Sequence, residues 1–289
     1  MLTEASLHQD IPALAKRLPP FPVVVAQLLS ELDNPSLSME ALVHIARNDP
    51  IISANILTSA NRIRRFNAMP DIGDPFVAAS LIGINQIRRI IATIGMNRFL
   101  EGDSGSGFLF WHSRGVAIIA QELAMLTNMC AERAYVAAIL HDVGQLCFHI
   151  LSPQEFQEAY HQSGSDDRLL EREAAIFGCN HSQVGAALAS HWKLPEDFVS
   201  TIRDHHDQHV VANRLSALIN LAESISRALD IPPSPKNRLT RLNRLAMETL
   251  EIDWKDPVLV DCFGRCRARY KQVSSHRMSP GQLELPYAM

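Results

Sequence analysis

Residues 140–144 read Leu140-His141-Asp142-Val143-Gly144, an imidazole beside a carboxylate inside a largely apolar stretch from Ala131 to Leu151. The spacing of apolar residues on both sides is helical. Neighbours on a helix point about 100° apart, so His141 and Asp142 reach one centre only at a helix end, where the chain can turn. Gly144 is read as supplying that freedom. Four more histidines, His112, His181, His205 and His206, fall at starts or ends of helical patterns in the same part of the chain, and Glu223 lies in the helix that follows. Imidazole and carboxylate together suit iron, manganese, zinc or nickel. Ligands from several helices can converge inside a bundle. His8, His44, His149, His161, His209 and His276 read instead as ordinary hydrogen-bonded or surface residues.

Outward from this stretch the chain is a succession of amphipathic helices. On the N-terminal side, Pro22 opens a helix over Val23 to Leu32, and Ser38 caps one that runs to about Arg47. Asp49-Pro50 and Asp74-Pro75 each pair an acidic N-cap with proline at the first helical position. The second opens a long pattern through Leu81, Ile84, Ile87, Ile90, Ile91 and Ile94. The stretch Glu101-Gly-Asp-Ser-Gly-Ser-Gly107 reads as a flexible joint, and no Lys-Ser/Thr pair follows to make it a phosphate loop. Beyond it, helices are expected at 108–126, 131–151, 153–161, 166–177, 181–191, 195–206 and 211–229. Ile231-Pro-Pro-Ser-Pro235 breaks the chain, two further helical patterns follow near 237–250 and 257–274, and the tail from His276 is polar. The expected organisation is an all-α N-terminal lobe at 10–101, packed on a histidine-bearing helical lobe at 108–230. A C-terminal helical extension at 236–275 and a tail at 276–289 complete it.

Composition agrees with this. Of 289 residues 47% are apolar and 20% charged, which supports a sizeable core, and only 6% are aromatic. Lys and Arg number 27 against 31 Asp and Glu, a balance that argues against a generic nucleic-acid coat. The five cysteines (Cys130, Cys147, Cys179, Cys262, Cys266) are odd in number and irregularly spaced, which suits a reducing cytoplasm. No secretory signal is expected from residues 1–10, and no membrane span is expected.

The motif at 140–144 resembles the paired histidine–aspartate signature of the HD superfamily of metal-dependent phosphohydrolases. Phe110-Trp111-His112-Ser113-Arg114-Gly115-Val116-Ala117 is similar to the helix that carries that superfamily's first ligand. Asn180-His181-Ser182-Gln183-Val184-Gly185-Ala186, Trp192-Lys193-Leu194-Pro195 and His205-His206 resemble a further stretch. In the N-terminal lobe, Leu18-Pro19-Pro20-Phe21-Pro22, Asn48-Asp49-Pro50 with Leu57 and Asn61, and Leu81-Ile82-Gly83-Ile84-Asn85 resemble the HDOD family, an HD-related output domain of bacterial signalling proteins. The likeness covers roughly residues 10 to 230. It implies metal positions at His112, His141, Asp142, His181, His205 and His206. The superfamily's closing aspartate falls on Glu223, whose carboxylate sits one methylene further out.

Two departures count against catalysis. Phosphohydrolases of the superfamily often carry lysine just after the His-Asp-x-Gly stretch, whereas Gln145 brings no charge to a developing phosphoryl group. The Gly-Tyr-Pro stretch of the cyclic-dinucleotide phosphodiesterase branch is replaced by Asp207-Gln208-His209 after His206. The resemblance therefore implies a signal-transduction module acting through contacts with a signalling protein, with a metal-capable but non-catalytic site. The alternative is a metal-dependent phosphohydrolase acting on a nucleotide or related phosphate ester. A basic group, Arg62, Arg64 and Arg65, with Arg88, Arg89 and Arg98 on the next helix, is a weaker candidate for nucleotide or nucleic-acid phosphate.

Overall fold

The computed structural model describes residues 11–32, 34, 37–101, 107–163, 166–207, 213–234, 237 and 242–275. Every regular element among the described residues is a helix. The chain divides into two compact units, one over Pro19–Gly102 and one formed by the segments on either side of it.

The Pro19–Gly102 unit contains α1 (Val23–Glu31), α2 (Met39–Arg47), α3 (Pro50–Phe66), α4 (Pro75–Ile82) and α5 (Ile84–Glu101). The starts are set by the residues that read as caps. Ser38 Oγ accepts from Ala41 N, Asp49 Oδ1 from Ile51 and Ile52 N, and Asp74 Oδ1 from Phe76 and Val77 N. Leu28, Leu42, Ile52, Ile56, Ile87 and Ile91 fill the core without exposure. The apolar pattern from Asp74-Pro75 to Ile94 is not one helix. It bends by 110° at Gly83, whose φ of +81° is open to glycine and strained for other residues, so α4 stops and α5 starts afresh.

The other unit contains α6 (Gly107–Leu126), α7 (Ala131–Leu140), α8 (Val143–Leu151), α9 (Pro153–Ser163), α10 (Asp166–Phe177), α11 (His181–His191), α12 (Glu196–Asp204), α13 (Arg214–Ala228), α14 (Arg244–Thr249) and α15 (Val258–Ser275). Helix α6 packs on α7, α13 and α15, while α11 packs on α8 and α12. Small residues let the first group approach closely: Ala120, Ala124, Ala134, Ala137 and Ala138 are all fully buried. Ile11 and Leu18 are buried with Phe148, Phe156 and Leu188, so residues 11–18 pack with this unit although the sequence reading places them in the N-terminal lobe.

Three element boundaries shift. The stretch 131–151 is two helices, because His141 and Asp142 form a turn. By length and apolarity it could also cross a membrane, and 83% of its most apolar window is buried inside the fold. The helix expected from 211 starts at Arg214, where Asn213 caps Ser216 N, and the one expected from 237 shortens to α14, where Asn243 caps Ala246 N. Most of the glycine-rich joint (102–106), the tail from 276 and His8, His209 and His276 lie outside the described residues.

Candidate metal centre

Five helix ends or faces bring the seven predicted side chains together. His112 projects from α6 and Glu223 from α13. His141 and Asp142 occupy the α7–α8 turn, His181 is the first residue of α11, and His205 and His206 follow α12. Their ligand-type atoms form two groups, each with all members within 4.8 Å of one another: His112, His141 and Glu223, and Asp142, His181, His205 and His206.

Asp142 joins the groups. Its Oδ1 lies 3.3 Å from His181 Nε2 and 3.4 Å from His205 Nε2, and its Oδ2 lies 3.5 Å from His112 Nε2 and 3.3 Å from His141 Nε2. Glu223 Oε2 stands 3.1 Å from His112 Nε2 and 3.2 Å from His141 Nε2, while its other oxygen accepts from Arg227. The longer glutamate therefore reaches the centre from α13.

The outward ring nitrogens fix the tautomers. His141 Nδ1 donates to Ala138 O at 2.6 Å and His205 Nδ1 to Ile202 O at 2.8 Å, since a carbonyl can only accept. His181 Nδ1 lies 2.6 Å from the Glu173 carboxylate. With Nδ1 carrying the proton, the Nε2 lone pairs point inwards, the orientation that metal-binding histidines receive from their outer partners. Four buried inward atoms, His141 Nε2, His205 Nε2, Asp142 Oδ1 and Glu223 Oε2, have no hydrogen-bond partner. Electron-pair donors crowded round one point are costly unless a cation, metal ion or proton, sits among them.

The charge balance agrees. Burial opposes ionisation of Asp142 and Glu223, but His141 beside the first, and His112 and Arg227 beside the second, outweigh it and hold both well below the usual carboxylate range. Burial lowers the His141 pKa, yet Asp142 and Glu223 overcome it and raise the imidazole well above its ordinary value. Burial and the neighbouring imidazoles depress His205 and, more strongly, His206.

Two residues acquire roles the sequence did not assign. Glu173 is fully buried and accepts from both His181 N (2.9 Å) and its ring, fixing the start of α11. It stands on the inner face of α10 with Leu169 and Phe177, and an acid on an apolar stripe is the signal that could have found it. Gly144 serves close approach rather than backbone freedom: it lies in α8, and a Cβ there would be 2.0 Å from the His181 carbonyl oxygen. In the other unit, Arg64 donates to Pro70 O and Arg65 pairs with Asp71, so both tie the α3–α4 connection, while Arg62 is exposed.

A helical fold built round a histidine–aspartate centre of this kind defines an HD-type protein. The HDOD domain profile matches residues 18–208, and the chain belongs to the HDOD family. An HDOD domain protein of unknown function from Geobacter sulfurreducens superposes with a TM-score of 0.72 at 22% identity, covering 93% of this chain and 98% of that one. A provisionally assigned signal transduction protein from Marinobacter aquaeolei VT8 gives 0.67 at 17% identity, over 94% of this chain and 65% of that one. A provisionally assigned phosphohydrolase from Shewanella amazonensis SB2B gives 0.62 at 23% identity, over 93% and 94%. At these identities the likeness is one of fold. The chain spans 38% or less of the length of the curated relatives it matches.

Proposed function

We propose that this chain is a regulatory HDOD module whose HD centre holds divalent transition metal, with output through protein contacts and negligible turnover of phosphate esters. The observation that carries the metal part is the set of four buried inward-facing atoms without partners, held in place by outward hydrogen bonds. His112, His141 and Glu223 would hold one ion and His181, His205 and His206 a second, with Asp142 offering an oxygen to each. A donor set dominated by imidazole suits iron, manganese, zinc or nickel and not calcium or magnesium. Metal bound there would supply positive charge and acidify water.

The chain's own groups support binding over turnover. Gln145, buried at the start of α8, carries no charge to stabilise a phosphoryl transition state. Losing one preorganised donor of that kind costs about a hundredfold to a thousandfold in rate. The Marinobacter relative's signal-transduction assignment favours the same reading. The second reading, a metal-dependent phosphohydrolase, is favoured by the completeness of the donor set and by the Shewanella relative. Elemental analysis paired with a phosphatase and phosphodiesterase substrate screen tests both. The expected outcome is stoichiometric metal without turnover. Hydrolysis of a defined phosphate ester at about one per second or faster, abolished in Asp142→Ala, would transfer the conclusion to the enzyme.

A further inference from the structure

The C-terminal end of α3 leaves apolar surface uncovered. Ile52, Ile56 and Ala60 form the fully buried stripe of that helix, and Ile63 comes next in the same stripe yet is 43% exposed. Phe66, three residues on, is 91% exposed. Met69 in the α3–α4 connection and Phe76, Val77 and Leu81 on α4 are exposed as well, and α4 packs on α3. Single apolar residues on a surface are ordinary, but six of the thirteen large ones exposed among the described residues fall within 63–81.

The stretch is held in shape by its own hydrogen bonds. Ala68 closes α3 in the left-handed region at φ +54°, with Met69 N donating to Arg64 O at 2.9 Å and Ala68 N to Arg65 O at 3.1 Å. That is a Schellman closure, which turns the residue after it back towards the last turn of the helix, here Met69 towards Ile63. Further on, Asn61 Nδ2 donates to Ile72 O at 2.9 Å and Asn61 Oδ1 accepts from Ile72 N at 2.7 Å. Arg64 donates to Pro70 O, and Arg65 pairs with Asp71. Apolar side chains presented on a connection tied in this way lose little freedom when a partner covers them.

Charge selects the occupant. Residues 50–90 carry five arginines against two acids, Asp71 and Asp74, in a chain whose net charge is −4. Arg62, one turn before Phe66, is exposed and makes no hydrogen bond or ion pair among the described residues. Phenylalanine, methionine and arginine are enriched at protein interfaces and lysine is depleted, and residues 50–90 contain no lysine. A second copy docked symmetrically would set arginine against arginine. An anionic membrane would meet the exposed Asp71 and Asp74. We infer that the α3–α4 surface docks an acidic amphipathic helix of the signalling partner. Its apolar face covers Ile63, Phe66 and Met69, and its carboxylates meet Arg62 and the neighbouring arginines. The inference rests on the regulatory reading and names the surface through which that output passes.

The test selects helical peptides from a display library on the immobilised full chain and titrates the tightest binder by fluorescence anisotropy. An acidic amphipathic peptide is expected, bound one per chain and more weakly at high salt. Phe66→Asp and Arg62→Glu should each weaken binding about tenfold or more. Val260→Asp, at an exposed position of α15, should bind as the wild type does. All three substitutions fall on exposed side chains, so the helical circular-dichroism signal should be unchanged. A selection without a binder, binders that lack acidic residues, or binders indifferent to Phe66→Asp and Arg62→Glu would overturn the inference. So would a dimer in sedimentation equilibrium that Phe66→Asp dissolves, which assigns the surface to a second copy. Binding to phosphatidylcholine–phosphatidylserine vesicles that the same variant abolishes would assign it to a membrane and overturn the inference too. The regulatory reading fails by a separate readout, turnover in the substrate screen.

Discussion

Asp142 carries the account at the scale of single residues, because its two oxygens face the two ligand groups separately. Asp142→Ala and His141→Ala should each abolish stoichiometric metal while leaving the helical circular-dichroism signal intact, whereas His149→Ala, in the same stretch but outside both groups, should retain the metal. Equal loss in all three would indicate non-specific uptake. Glu173 acts through His181. Removing such an outer partner lowers metal affinity by about 10- to 100-fold, so Glu173→Ala should show that drop in a chelator competition, and Glu173→Gln, which keeps an acceptor, should lie near wild type. His141, Asp142, His181, His205 and His206 were legible because histidine–aspartate adjacency and helix-end placement are properties of the chain itself, whereas His112 and Glu223 lie inside α6 and α13 and took their place in the set from the resemblance. Glu173 was not legible, since α10 also carries the exposed Glu171, and only the burial of one helical face separates the two acids. Gly144 was legible as a required glycine, but its reason, the His181 carbonyl against its Cα, depends on a helix 37 positions away in sequence and cannot be read locally.

Among elements, α15 is tied to α6 by a single acid. Glu122 is almost fully buried and accepts from Arg265 Nε (2.8 Å) and Arg269 (2.6 Å), while Arg269 also donates to Gln121. Burial raises the Glu122 pKa, but the two guanidinium hydrogen bonds outweigh it and leave the carboxyl below its ordinary value. A carboxylate depressed on folding stabilises the fold fully above its unfolded pKa of about 4.3. That stabilisation is lost as pH falls through the lower folded value. Denaturant midpoints should therefore fall below about pH 4 in the wild type. The part due to this contact should be absent from Glu122→Ala, which should cost about 1–3 kcal/mol at neutral pH. The α4–α5 break gives a second check. Gly83→Ala places a Cβ at φ +81°, and the same unfolding measurement should show a loss of about 1–3 kcal/mol. The caps at Ser38, Asp49 and Asp74 were readable because a side chain two or three residues away satisfies the helix start. The break at Gly83 was not, because Leu81 and Ile84 continue the apolar period straight across it.

For the whole chain, the helical class follows from apolar periodicity and low aromatic content, and the division at residue 102/103 falls in the glycine-rich stretch. The place of residues 11–18 did not follow, since Ile11 and Leu18 find their partners in Phe148, Phe156 and Leu188, far along the chain. Metal that binds only the folded state stabilises it by mass action, about 2.7 kcal/mol at a hundredfold excess over Kd. Removing metal with a chelator should therefore lower Tm by roughly 5–10 °C, and Asp142→Ala should show no such shift. The most direct measurement is elemental analysis of the full chain purified without chelators or a histidine tag. Two divalent transition-metal ions per chain are expected for the wild type and for His149→Ala, and none for Asp142→Ala. A folded wild type without bound metal, or an Asp142→Ala variant with the wild-type content, would contradict the account.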